Sequence, residues 1–100
     1  MGLFVVQHHH DANRCPARNP QMSQMLLKHL SASNAKNYGL IIQAEAVINN
    51  AHTLYMIVGG PDRKSVERFM QPFAQAGTVE IFAASPCEEV VARGGCDTPG

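Results

Sequence analysis

The sequence lacks tryptophan, has few aromatic residues (6%) and contains no long hydrophobic run. No apolar stretch approaches the roughly 20 residues that a membrane-spanning helix needs. Acidic and basic residues are equal in number, eight of each, so the chain has no excess positive charge to attract a nucleic-acid backbone. These absences argue against both a membrane span and a nucleic-acid partner, and they leave a globular domain as the expected class.

Cysteine is also scarce, and its number is odd. Three cysteines cannot form a fully paired disulfide framework. Residues 1–6 have neither the basic start nor the length of a signal peptide. We therefore expect a cytoplasmic protein in which Cys15, Cys87 and Cys96 stay mostly reduced. A net charge of zero does little to oppose self-association.

Hydrophobic patterning predicts four strands and two main helices. The strands are expected at 3–10, 40–48, 53–58 and 78–84, and the helices at 21–33 and from Pro61 to Gly77. The third strand is so apolar that we expect it to be covered on both faces. Pro72 lies inside the second helix and predicts a kink or an early end there.

This order of elements predicts an α+β fold of the ferredoxin-like βαββαβ type, with a four-stranded antiparallel sheet and both helices on one face. Right-handed crossovers give the strand order 4-1-3-2. The middle strands carry too much apolar surface to leave both faces in water, so we expect a homodimer that packs through the open face; the residues concerned are Val5, Leu54, Met56 and Phe82.

Residues 1–84 form the expected domain, and 85–100 form a C-terminal tail with a short helix. Ser85 and Glu88 have the spacing of a capping box, with Pro86 at the first helical position, which predicts a helix from Pro86 to Arg93.

Residues 5–17, VVQHHHDANRCPA, carry most of the reactive groups. On a strand, His8 and His10 share one face while His9 points to the other. The loop that follows brings Cys15 near the end of the strand. Imidazole and thiolate together favour Zn, Cu or Fe over Ca or Mg. The pattern predicts a metal site with His8, His10 and Cys15 as ligands, and the alternative is a polar strand end that binds no metal.

The roles of the other histidines and cysteines are considered in turn from their positions in the predicted fold. The predicted sheet order places His52 at the same end as His10, as a further ligand or an exposed turn residue. Cys87 and Cys96 follow the fourth strand, which ends away from His10. They join the site only if the tail folds back or a partner supplies them; otherwise they form a separate pair or serve as small apolar groups. His29, on an apolar helix face, is expected to be a hydrogen-bonded core residue.

Over residues 3–84 the chain resembles the dimeric α+β barrel superfamily, by element order, length and the Gly59-Gly60-Pro61-Asp62 junction. That superfamily includes small cofactor-free monooxygenases, stress-responsive barrel proteins and haem-handling proteins. The segment from His8 to Ala17, with Cys87 and Gly94-Gly95-Cys96, looks like the His-x-His…Cys-Pro signature of an uncharacterised subgroup. Such a likeness implies the fold and the dimer but names no single activity.

Three functions are compatible with these features. The first is a small homodimeric metal-binding protein, which would be catalytic if one coordination position stays open to water. The alternative is a cofactor-free monooxygenase-like or isomerase-like enzyme, with a histidine as general base and Tyr55 or Asn13 orienting a small organic substrate between sheet and helices.

The third is a thiol redox or stress module in which Cys87 and Cys96 form a reversible disulfide. An intact helix between them would keep their Cα atoms beyond the roughly 7 Å that a disulfide allows, so this function requires the helix to melt.

Overall fold

The structure is a computed structural model and describes residues 2–97, so the last three residues of the predicted tail lie outside the described part. Its strands are β1 (Gly2–His10), β2 (Ile41–Ile48), β3 (Thr53–Gly60) and β4 (Gly77–Ala84). Its α-helices are α1 (Pro20–His29), α2 (Ala32–Asn37), α3 (Arg63–Ala74) and α4 (Cys87–Arg93). Two short 3-10 turns, Ala12–Arg14 and Pro16–Arg18, lead from β1 into α1.

The four strands form one antiparallel sheet in the order β2-β3-β1-β4. This confirms the predicted strand order and an α+β fold with a four-stranded antiparallel sheet. Strand β1 lies inside the sheet and pairs with β3 along one edge and β4 along the other. Alternate side chains of β1 point to opposite faces of the sheet, and the residues paired with them on β3 and β4 point to the same faces.

The core lies between one sheet face and the helices. Strand β1 contributes Phe4 and Val6, and β3 contributes Met56 and Val58, all at most 8% exposed. Helix α3 packs against β1, β3 and β4, while α2 packs against β2. The buried apolar residues of α3 recur at the spacing of an amphipathic helix and comprise Val66, Phe69, Met70 and Phe73.

The opposite face of the sheet is open. Tyr55 and Ile57 of β3 point to it with 39% and 40% of their surface exposed, and Phe82 of β4 is 48% exposed. The expectation that the third strand is covered on both faces is therefore wrong for a single chain. An apolar strand sequence shows that both faces favour burial, but it does not show what covers each face.

The predicted helix over 21–33 is two helices. It breaks at Ser31, whose backbone is extended and whose hydroxyl donates to the carbonyl of Lys28 at 2.7 Å. The same oxygen accepts from the backbone N–H of Asn34 at 3.3 Å, so Ser31 is the N-cap of α2. A serine can satisfy the backbone at a helix end, which is why it divides a continuous apolar pattern.

The predicted capping box at the tail is wrong in detail, although the short helix is present. The N-cap of α4 is Pro86, and no side chain caps it. The Ser85 hydroxyl instead accepts a hydrogen bond from the Arg93 guanidinium at 2.9 Å, across the length of the helix. Helix α3 continues through Pro72 and ends at Ala74, so the kink or early end expected at this proline is seen only as an end two residues later.

Gly77 allows β4 to begin directly beside the end of β1, where it pairs with His10. A Cβ atom at this position would overlap the carbonyl oxygen of His9 and lie 3.0 Å from the Cα of His10. Both are backbone atoms of a central strand, so neither can move without disturbing the sheet.

We predict that Gly77→Ala destabilises the fold by about 3 kcal/mol, because the added methyl group overpacks a backbone–backbone contact. Urea denaturation monitored by circular dichroism measures this change. Gly95→Ala is the matched control, since a Cβ atom there meets nothing within 4 Å. Equal midpoints for the two variants would contradict the role given to Gly77.

Candidate metal centre

Strand alternation sends two of the three consecutive histidines into the interior. His8 and His10 lie on the helix-covered face and are only 4% and 8% exposed. His9 points to the open face, where its Nδ1 donates to the Thr53 hydroxyl at 3.0 Å. The hydroxyl of Thr53 in turn donates a hydrogen bond to the carbonyl of Ala51. The shared face of His8 and His10 is the one that the sequence pattern predicts.

The turn between β2 and β3 folds back toward the end of β1. Its residues Asn50 and His52 have φ angles of 66° and 49°, in the left-handed region that Asn and His tolerate better than most residues. The backbone N–H of His10 donates to the carbonyl of His52 at 3.1 Å. The two imidazoles consequently meet edge to face, with ring centroids 5.2 Å apart.

Cys15 lies between the two 3-10 turns that follow β1. Its N–H donates to the carbonyl of Ala12 at 3.4 Å, and its carbonyl accepts from Arg18 at 3.2 Å. The next residue, Pro16, is tied to α1 because the Ser23 hydroxyl donates to its carbonyl at 2.9 Å. The segment that carries the thiol is thus ordered by local turns and by the adjacent helix.

These three elements bring together His10, Cys15 and His52, which we call the metal group. One ligand atom from each lies within 4.8 Å of the other two, so the group is close enough to hold a metal ion. Both ring nitrogens of His10 are buried, and neither has a hydrogen-bond partner among the described residues. Leaving a buried polar group unpaired costs about 1–3 kcal/mol, and a metal ligated by one of these nitrogens would offset that cost. Two imidazoles and a thiolate suit Zn, Cu or Fe.

His8 lies next to this group and does not join it. Its Nδ1 donates to the backbone carbonyl of Thr78 at 3.1 Å. Its ring stacks on His10 with centroids 5.5 Å apart and meets the edge of Phe73 at 5.2 Å. Because Nδ1 carries the proton in this hydrogen bond, the neutral ring keeps its lone pair on Nε2.

His8 forms part of the wall of a cavity of about 230 Å³. The other lining residues are Arg14, Pro16, Met22, Met25, Leu26, His29, Pro72, Phe73 and Ala76. Arg14 is not among the site residues predicted from the sequence, although its position immediately before Cys15 is a signal for it. Tyr55, expected to orient a substrate here, is wrongly placed for that role because it lies on the open sheet face. Asn13 is exposed in the first 3-10 turn and does not line the cavity.

The tail cysteines lie elsewhere. Strand β4 begins opposite His10 and ends opposite Leu3, so the chain leaves the sheet about 23 Å from His10 at 3.3 Å per residue. Cys87 and Cys96 follow that end and are both exposed. Neither belongs to the ligand group formed within residues 2–97, and all three cysteines of the chain are free thiols.

His29 has partners on both ring nitrogens, as expected, but its side chain is half-buried and lines the cavity instead of lying in the core. Its Nε2 donates to the Phe69 carbonyl at 2.8 Å, and its Nδ1 accepts from the Asn34 side-chain amide at 3.3 Å. Its ring also stacks on Phe69 with centroids 4.3 Å apart. It therefore serves as a packed, hydrogen-bonded wall of the cavity.

Burial lowers the pKa of both interior histidines, His8 and His10. For His8, desolvation outweighs the opposing effect of the Thr78 hydrogen bond, and the nearby His10 lowers the pKa further. For His10, desolvation again has the largest effect, and the nearby His52 lowers its pKa further. Both rings are neutral at pH 7, which is the form of imidazole that can bind a metal.

No protein family, curated protein or solved structure matches the chain. No helix within residues 2–97 is long and apolar enough to cross a membrane. What the fold and the site define is a small α+β protein with a candidate histidine–cysteine metal centre.

The lowered histidine pKa values predict that the metal-free protein loses stability on acidification. Below the unfolded pKa of about 6.5, the unfolded chain takes up protons that the folded chain does not, so folding weakens as the pH falls. Each of His8 and His10 contributes at most about 1.4 kcal/mol per pH unit, and their contribution is flat above pH 7.5. Denaturation in the presence of a chelator at pH 5–8 measures this.

The His8→Leu variant should show a shallower pH dependence of stability between pH 5 and 6.5, since one of the two buried imidazoles is removed. A wild-type stability that stays constant or rises on acidification through this range would contradict the buried, neutral state of the two rings.

Proposed function

We propose that this protein binds a transition metal, Zn, Cu or Fe, through His10, Cys15 and His52. The observation that carries the proposal is the His10 side chain, whose two ring nitrogens are buried without partners beside a thiol and a second imidazole. Native proteins rarely leave such groups unpaired, and the exceptions are concentrated at functional sites. Free thiols such as those of the three cysteines persist in a reducing compartment, and we propose the cytoplasm.

The ligand set has room for a fourth group. Tetrahedral zinc with two nitrogens and one sulfur needs ligand atoms about 3.3–3.6 Å apart, so the three donors must approach by at most about 1.5 Å. Cys15 and His52 lie on a turn segment and a loop, where side-chain rotation can supply that movement. Three protein donors leave one position for water or a substrate, as in catalytic zinc sites, so we propose that the centre can support catalysis.

The first test is titration of chelator-treated, tag-free protein with Co(II), whose thiolate charge-transfer absorption reports the Cys15 ligand. We expect saturation at one ion per chain and loss of the band in Cys15→Ser. Replacing a histidine ligand, in His52→Ala or His10→Asn, should weaken binding by more than the roughly 10–100-fold typical of outer-shell changes.

Two matched variants control this titration. Cys87→Ser removes an exposed thiol outside the group, and His9→Gln removes the histidine on the opposite face, so both should keep the band. His8→Gln should also keep it, and loss of the band there would identify His8 as a ligand instead. No band at one equivalent, or a band that survives Cys15→Ser, would refute the proposed centre.

We also propose that the fold is the ferredoxin-like βαββαβ arrangement, with α1 and α2 together forming the first crossover, and that two copies pack through their open sheet faces. Glu80 is the one Asp, Glu, Lys or Arg among the open-face residues of the four described strands. A face with so little charge can meet a copy of itself without clustering like charges. Monomers rarely expose continuous apolar surface of this kind.

The dimer predicts that Phe82→Glu or Ile57→Glu yields a folded monomer, because each buries an unpaired charge between the paired faces. Size-exclusion chromatography with light scattering measures the mass. The control is Val91→Glu, which places the same charge on a residue that is 79% exposed and belongs to α4 instead of the sheet. A wild-type monomer at the highest concentration tested, or dimers that persist in both variants, would contradict this interface.

A further inference from the structure

The cavity beside the metal group has properties that metal binding alone does not use. It lies between the end of β1, the 3-10 turns, α1 and the end of α3. Its volume of about 230 Å³ exceeds the roughly 150 Å³ of a cavity that holds benzene and falls short of a typical drug-sized pocket. It therefore fits a molecule of about one ring with a small substituent.

Most of the wall is apolar. The sulfur-containing side chains Met22 and Met25 line it together with Leu26, Pro72 and Phe73. Met22 and Met25 are 46% and 69% exposed, which places apolar side chains at the solvent-facing side of the space. Such a lining favours an apolar ligand body and allows it to enter from solvent.

Two polar groups of the wall are available to a ligand. The ring nitrogens of His29 are both engaged, but His8 keeps Nε2 free, and the guanidinium of Arg14 makes no hydrogen bond or ion pair with any described residue. The guanidinium of Arg14 is a fork of N–H donors that matches the two oxygens of a carboxylate.

The segment that supplies much of the cavity lining carries an excess of positive charge. Residues 11–38, the segment that supplies Arg14 and the α1 part of the lining, carry four basic residues against the single acidic residue Asp11, although the whole chain is neutral. The basic residues of this segment are Arg14, Arg18, Lys28 and Lys36. A local excess of positive charge favours an anionic ligand at the entrance.

We propose that this cavity binds a small apolar carboxylic acid of about one ring, with its carboxylate on Arg14 and its apolar body against the methionines and Phe73. This site is separate from the metal ligands and does not require a bound ion. A hydroxyl group on the same ligand would find an acceptor in the free Nε2 of His8.

The probe is benzoate, and the readout is NMR of the protein labelled with ¹³C at the methionine methyl groups. We expect saturable shifts at Met22 and Met25 with a dissociation constant of about 1 mM, the affinity typical of so small a ligand. Met56, which is buried in the core and does not line the cavity, should not shift. The neutral isostere benzamide should bind at least about tenfold more weakly.

Arg14→Gln should weaken benzoate binding about tenfold and remove its advantage over benzamide, because it deletes the charge-assisted hydrogen bonds. Arg18→Gln is the matched control, since Arg18 belongs to the same segment but does not line the cavity. Both arginines are exposed, so neither change should unfold the protein. The titrations are run on metal-free and metal-loaded protein, so that failure of the metal centre does not affect the result.

Three results would overturn the proposal. They are the absence of saturable shifts at Met22 and Met25, equal affinity for benzoate and benzamide, and equal effects of the two arginine variants. Shifts at Met22 and Met25 that depend on protein concentration without benzoate, in the open-face variant Phe82→Glu as well, would show that a second copy fills the cavity, which would also overturn it.

Discussion

Strand β1 is hydrogen-bonded along both edges, so every second side chain on it must enter the helix-covered core. At Phe4 and Val6 this constraint buries apolar groups, and at His8 and His10 the same alternation buries two imidazoles. A shift of one residue in the strand register would turn all four side chains to the opposite face of the sheet. Burial of the apolar residues at the start of β1 therefore also places its two histidines in the interior. The candidate site depends on this shared register.

The two buried histidines meet the cost of burial in different ways. His8 gives its Nδ1 proton to the carbonyl of Thr78 on β4, so one nitrogen is satisfied by the sheet itself. His10 lies one strand repeat further on, where β1 ends and no such carbonyl reaches its ring. An unsatisfied imidazole beside a thiol breaks the rule that buried polar groups are paired, and such exceptions concentrate where a ligand supplies the missing partner.

One short segment serves both the metal group and the cavity. Cys15 belongs to the metal group, while its neighbours Arg14 and Pro16 line the cavity. The 3-10 turns on either side and the Ser23 hydrogen bond to Pro16 hold these three residues as a unit. A local change in this segment would therefore reach both places at once, although the ligand atoms and the cavity lining share no residue.

The sequence by itself determined the strands, their order, the shared face of His8 and His10 and the end of the sheet where His52 lies. These follow from the two-residue period of strands and from short connections, which are local properties. Only the tertiary structure decided which candidates meet. His8 is engaged by Thr78, 70 residues away in the chain, and His52 reaches His10 through a left-handed turn. Periodicity gives the direction of a side chain, but its hydrogen-bond partners come from distant segments that the local pattern does not specify.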